Sequence, residues 1–355
     1  MIQSPRSLRL RPLLATGLMA LVLAALMSLS AQADNTAAAR ARARNAFQHE
    51  LVSRLALHSQ ARPLLGAALL ARTPPDEGGP LGFHQLIRRA AGAPHAGPAV
   101  NWVRLSDCDA DAGNCPNPDA LEALLRQAPG NAAVWMLRMG QAIANGNVKA
   151  ASDALAKAAR AAVYDDYAGL SLQALADAVT LLPPPPDTLS GPGDHATRVA
   201  ALRVLMVFGI AGTQPMPGFH LVAAHCRRNI AANDPARRRL CLQLAHVLVQ
   251  GSSPLARSLG LHIQTTLAPD PAERKRARAD MRDLVWQVRQ FGMLQVRARN
   301  DLAVARRLLM LARQGGTQMD LMQSALRASG IPVQAPPGRN AAAGDDRVQA
   351  RSPRR

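Results

Sequence analysis

The residues best suited to chemistry fall in two short stretches. Asp107, Asp109 and Asp111 stand at alternate positions, the spacing at which carboxylates at positions one, three and five of a calcium loop converge on one ion. Ala112 occupies the place of that loop's sharp-turn glycine, and Pro118 the place of its bidentate glutamate. The segment therefore reads first as a solvated loop closed by Cys108 and Cys115, with calcium as the sharper alternative. The second stretch holds His220, His225, Cys226, Cys241 and His246. In an oxidising compartment its thiols pair instead of holding a metal, and His246 lies about 140° around a helix from Cys241. No metal site is expected there.

Familiar reactive patterns are missing. His49-Glu50 opens a zinc-protease phrase, but Ser53 stands where the second histidine belongs. There is no Gly-x-Ser-x-Gly elbow, no glycine-rich loop followed by lysine and no Ser-x-x-Lys pair. Glutamate occurs only at 50, 77, 122 and 273. These residues assign no catalytic group and call for no cofactor.

The compartment is read from the first residues. Arg6, Arg9 and Arg11 precede an apolar run from Leu13 to Leu26, and Ala31-Gln32-Ala33 supplies a small-x-small cleavage site. The run is short for a membrane span, so residues 1–33 are expected to be removed and the mature chain exported, without a stable span. Four cysteines in such a chain imply two disulfides, and three connectivities exist. Cys108–Cys115 and Cys226–Cys241 are the expected pairs. For the second, Phe219, Val222, Cys226 and Ile230 share one helical face, and Cys241, Leu244, Ala245 and Leu248 share another. A turn near Asn233, followed by the Asp234-Pro235 cap, would bring the two cysteines opposite each other. Closing that loop stabilises by roughly 3 kcal/mol through chain entropy.

The elements that must position these residues are helices. Alternating β-branched runs are almost absent and aromatic residues are only 3% of the chain, so Leu, Ala, Val and Met must fill an all-α core. Pro118–Ala162 is the clearest stretch: Pro129-Gly130-Asn131 and Asn145-Gly146-Asn147 separate three helices and cap the second and third. Trp135, Met139, Ala142 and Ile143 are expected on one buried face, and Val148, Ala151, Leu155, Ala158 and Ala162 on the next. Further helices are expected over 36–60, 62–72, 81–91, 165–182, 194–211, 219–233, 235–249, 253–267, 272–292, 294–313 and 318–328. Pro183 to Pro186 and Ser190-Gly191-Pro192-Gly193 suggest a linker over 183–193. It would divide a helical-repeat region, 34–182, from a second helical region, 194–329. Residues 330–355 read as a disordered basic tail.

Asn131 to Ala162 resembles a tetratricopeptide repeat, with Trp135 in the early aromatic slot, Gly146 in the turn and alanines at 151 and 158. Trp102 lies 33 residues before Trp135, and Asp165-Asp166-Tyr167 follows Asn131 by about 34, which matches that family's period. The resemblance covers about 98–182 and lacks the usual central Gly-x-x-Tyr. It implies antiparallel helix hairpins stacked as a short array, against the alternative of an irregular bundle. Stacked hairpins present a concave surface to a protein or peptide.

The charge fits that picture loosely. The formal net charge is +18, and the three arginines of the leader leave +15. Lysine occurs only at 149, 157 and 275, so the excess is arginine and matches GC-rich coding. Export argues against nucleic acid as partner, while an anionic envelope surface suits the charge. The expected function is that of a periplasmic or secreted scaffold that binds a protein or peptide of the cell envelope. The alternative is an enzyme acting on envelope glycan or peptide.

Overall fold

A computed structural model describes residues 36–72, 81–108, 115–212, 215–227 and 234–337. The fold is all-α. Among the described residues there is no strand, only an isolated bridge between Asn131 and Val163. Helix α1 covers 36–55. Its part through Phe47 groups with Pro184–Leu189 as a small unit, in which Pro186–Thr188 forms a 3-10 turn and Thr188 Oγ1 donates to Pro185 O at 2.6 Å.

The larger unit takes the other described residues, on both sides of the proline run. Before that run come α2 (Ala61–Ala71), α3 (Phe83–Gly92), α4 (Pro98–Arg104), α5 (Pro118–Gln127), α6 (Ala132–Ala144), α7 (Val148–Ala159) and α8 (Ala168–Ala178). After it come α9 (His195–Ala211), α10 (Phe219–His225), α11 (Pro235–Val249), α12 (Pro254–Leu267), α13 (Pro271–Arg297), α14 (Leu302–Gln314) and α15 (Gln318–Ala328). Starts follow local chemistry. Asn117, Asn131, Asn147, Asp194, Asp234, Asp270 and Asp301 each accept a first-turn amide, satisfying donors that a helix start leaves orphaned.

Sequential neighbours pack as hairpins, α2 on α3, α6 on α7, α11 on α12 and α12 on α13. Long-range contacts then join the hairpins: α8 packs on α2, α9 and α14, and α11 on α7. The described helices on both sides of 183–193 thus fall in the larger unit, with α8 packed on α9. Helix α8 holds the centre because it is almost all small or aliphatic, with Gly169, Ser171, Leu172, Ala174, Leu175, Ala176 and Ala178 buried. Its close approaches are tight. A Cβ on Gly66 would meet the Ala174 carbonyl at 2.9 Å, and one on Gly169 would meet the Gly316 carbonyl at 1.8 Å.

Several expectations shift in register. Helix α6 buries Ala132, Ala133, Val134, Met136, Leu137, Met139 and Ala142, leaving Trp135 half-buried and Ile143 exposed. Trp135 is held from outside, donating Nε1–H to Pro129 O at 2.7 Å beneath Lys157 Nζ. Val148 and Ala162 are exposed, while Ala154 joins Ala151, Leu155 and Ala158 inside. Gly292 does not end a helix: α13 runs through it to Arg297, and the break comes where Asp301 caps α14. One glycine costs a helix only about 1 kcal/mol, which the packing of Phe291 and Leu294 outweighs. Helix α10 ends at His225; Ile230 and the Asn233 turn lie outside the described residues. Part of the expected disordered tail is tied down. Trp286 and Gln287 side chains donate to Pro332 O and Val333 O, and Ala335 N donates to Asp283.

The glycine contacts give opposite signs for the same change. Gly169→Ala should destabilise by about 3 kcal/mol, because backbone must move. Gly209→Ala, on exposed α9 surface with nothing within 4 Å of its Cβ, should stabilise by about 0.5–1 kcal/mol. Urea unfolding midpoints measure both, and equal effects would contradict the packing.

Candidate functional site

The site begins at Asn131. Its side chain is 2% exposed and uses all its bonding capacity. Oδ1 accepts from Ala133 N at 3.0 Å and Asp165 N at 2.9 Å. Nδ2 donates to Asp165 O at 2.7 Å and to the Tyr167 hydroxyl at 3.0 Å. Backbone bonds reinforce the junction: Ala132 N donates to Val163 O, and Ala162 N and Val163 N donate to Gly130 O. The helix start of α6 thus clamps residues 163–167 in place.

That clamp explains why α8 starts at Ala168 and not at Asp165. Tyr167 is left-handed, at φ 55°, a conformation that costs a bulky residue. Asp165 Oδ1 accepts from Tyr167 N at 2.9 Å, steadying the turn. Burial pushes the Asp165 carboxyl up, only partly offset by that amide. Tyr164 is driven much further, well above an ordinary phenol, by burial and then by the charge of Asp166. It is a neutral donor, reaching Asp166 Oδ2 at 3.5 Å.

The two tyrosines carry the clamp outward. Tyr167 meets Trp102 edge-on with ring centroids 5.7 Å apart, and Tyr164 meets Phe219 at 6.0 Å. Tyr164 O accepts from Ser252 N, and Ser252 O accepts from Met319 N. Ser252 Oγ in turn donates to Asp166 Oδ1 at 3.2 Å. Loop 163–167, the Gly251-Ser252-Ser253 junction before α12 and the start of α15 are therefore one bonded assembly.

Beside this assembly lies a cleft of about 290 Å³. Trp102 from α4, Phe208 from α9, Phe219 from α10 and Phe291 from α13 line it. Phe208 and Phe291 are themselves edge to face, 5.9 Å apart. Trp102 Nε1 donates to Pro215 O at 3.2 Å, fixing the chain that forms one rim. Met216 and Leu255, 69% and 47% exposed, stand at the mouth. Of the described residues lining the cleft, Asp166 alone is titratable; Ser253, Gln295 and Gln318 add neutral polar groups. The volume is at the small end of ligand sites, which run roughly 300–1,000 Å³, and suits one or two side chains or a small organic molecule.

The candidate metal ligands read from the sequence lie elsewhere. Cys108–Cys115 and Cys226–Cys241 are disulfides, which leaves no thiolate for the His220–His246 cluster. His220 is exposed, His225 half-buried, and His246 Nδ1 bonds Gln264. Asp107 faces His84 Nδ1 at 2.6 Å and Arg88 at 3.7 Å; Asp109 and Asp111 lie outside the described residues, as do Ala31, Ala33 and the rest of 1–33. Among the described residues no three His, Cys, Asp or Glu side chains group as metal ligands. The two tryptophans of the 33-residue spacing occupy unlike places, Trp102 fully buried and Trp135 half-buried at the surface. Sequence reasoning missed the cleft because its residues are scattered from 102 to 321. The signal available was scarcity: the chain has only five Phe and three Trp, and three of those Phe and one Trp line it.

No family model, curated protein or solved structure matches this chain. No described helix is long and apolar enough to cross a membrane.

Asn131→Ala should remove a cap and strand the Asp165 backbone and Tyr167 hydroxyl, costing about 3 kcal/mol in urea unfolding. Tyr167→Phe, which loses one bond and keeps the ring, should cost about 1 kcal/mol. Equal, sub-kilocalorie losses would show that Asn131 is only a helix cap.

Proposed function

We propose that this chain is an exported binding protein of the cell envelope, which seats an apolar segment of a protein or peptide partner in the Trp102 cleft. The observation that carries this reading is the concentration of aromatic side chains there in a chain nearly devoid of them. Aromatic walls bury large area and dominate recognition energetics, and the exposed Met216 and Leu255 extend the apolar surface to solvent.

Two disulfides and the leader-like first residues support export. The α6–α7 hairpin, with left-handed Gly146 at its turn, supports the kinship with paired-helix repeats and hence a scaffold role. An enzyme acting on glycan or peptide would need a second acid or a histidine in reach of one substrate atom. The described lining offers Asp166 alone.

Trp102 provides the readout. With Trp135→Phe and Trp286→Phe in place, it is the sole tryptophan and can be excited apart from the two tyrosines at the red edge of absorption. Capped hexapeptides with a central Phe should change its emission saturably, and the same peptides with a central Ser should not. Leu255→Asp should weaken binding about tenfold by placing a charge at the apolar mouth. Indifference of Trp102 to every Phe peptide would contradict the proposal.

A further inference from the structure

Resting on the reading of the cleft as a binding site, we propose that its occupant is cationic: an ammonium group on an apolar body, with the ammonium received by Asp166. The aromatic walls alone would take any apolar group. The carboxylate narrows the class.

Three observations converge. First, Asp166 has no basic partner among the described residues. Although the chain carries 42 Lys and Arg against 24 Asp and Glu, no described Lys, Arg or His nitrogen lies within 4 Å of its carboxylate. None of the described lining residues is basic either. Its neighbours are neutral donors, Ser252 Oγ and Ala168 N on Oδ1 and the long Tyr164 bond on Oδ2. Those contacts orient the carboxylate and leave acceptor capacity on Oδ2.

Second, the surrounding rings are Trp102, Phe208, Phe219 and Phe291. Aromatic faces attract cations through their quadrupoles, and the attraction grows once water is excluded. A carboxylate set among such rings is the arrangement that recognises amines. Third, Ser253 is 3% exposed and its Oγ, beside the Tyr164 phenol yet outside hydrogen-bond geometry, has no partner. A buried hydroxyl without a bond is open to a polar group of a ligand, and to an N–H it offers an acceptor.

The competing attraction is for anions, because α8, α10, α12 and α15 all begin at the cleft and helix starts carry about half a positive charge each. Two of those starts are already answered by full carboxylates, α8 by Asp166 and α15 by Asp320 in its capping box. That leaves α10 and α12 with no carboxylate at their starts; α10 is only seven residues long, and Asp166 is the one full charge in the described lining.

A charge series on one apolar body tests this directly. 3-Phenylpropylammonium, 3-phenylpropan-1-ol and 3-phenylpropionate share a phenyl ring and differ in the head group. Titrated against the purified chain by calorimetry and Trp102 emission, the ammonium should bind about tenfold more tightly than the alcohol, and the propionate most weakly. Asp166→Asn keeps the size and one acceptor and should bring ammonium and alcohol within about twofold. Should that variant lose its fold, the series on the unaltered chain decides alone. Alcohol binding as tightly as ammonium, or propionate binding best, overturns the proposal. If the capped Phe peptides still bind in that case, only the cationic preference falls; if neither peptides nor any of the three compounds bind, the cleft is not a binding site.

Discussion

A single buried amide, that of Asn131, sets the geometry on which both the centre of the fold and the cleft depend. Four hydrogen bonds leave it no alternative orientation. An unsatisfied buried amide costs far more than any one of these bonds contributes, so the clamp is made completely or the region reorganises. Its consequence runs in one direction: residues 163–167 are fixed, Tyr167 accepts a left-handed backbone, and α8 begins late and enters the core. Tyr164 and Tyr167 then present their rings to Phe219 and Trp102, and Asp166 is left facing the cleft. Strain at Tyr167 is stored where surrounding bonds over-determine it, a pattern found at functional sites.

Much of this architecture was legible in the residues, and what was legible was local. Asn131, Asn147 and Asp234-Pro235 announced helix starts because capping is a contact between near neighbours. The cysteine pairing followed from helix faces about equally distant from one turn. The failures were of a different kind. Trp135 and Ile143 share a face with Met139 by periodicity, yet which of two overlapping faces is buried depends on what α10 and α11 bring to α6, and that is not local. Gly292 looked like a terminus because its cost is local, whereas the packing that overrides it is tertiary. The 34-residue interval from Asn131 to Asp165 suggested a repeat period, and in the fold those two residues are bonded to one another. The cleft was invisible for the same reason, since α4, α9, α10 and α13 converge only when α8 is seated between the two halves of the chain.

The basic excess also has a structural use. Arg203 donates to Val179 O and Leu182 O after α8, Arg274 to Ala268 O and Pro269 O after α12, and Arg257 to Gly251 O after α11. Arg89 does the same for Ala56 O and His58 O. These side chains satisfy carbonyls that helix ends leave orphaned and sit at the negative end of the helix dipole. Part of the arginine content is thus explained by the fold itself, which makes the absence of a described basic residue from the cleft lining more informative about what the cleft accepts.

The central claim is that Asn131 joins α6, loop 163–167 and the α11–α12 junction into one unit that also forms the cleft wall. Native-state hydrogen exchange tests it most directly. The amides of Ala133, Asp165 and Ser252, bonded respectively to Asn131 Oδ1, Asn131 Oδ1 and Tyr164 O, should exchange with one common free energy, in the slowest class. Rapid exchange at Asp165 and Ser252 while Ala133 stays protected would show a loop that opens independently of α6, and would contradict the account.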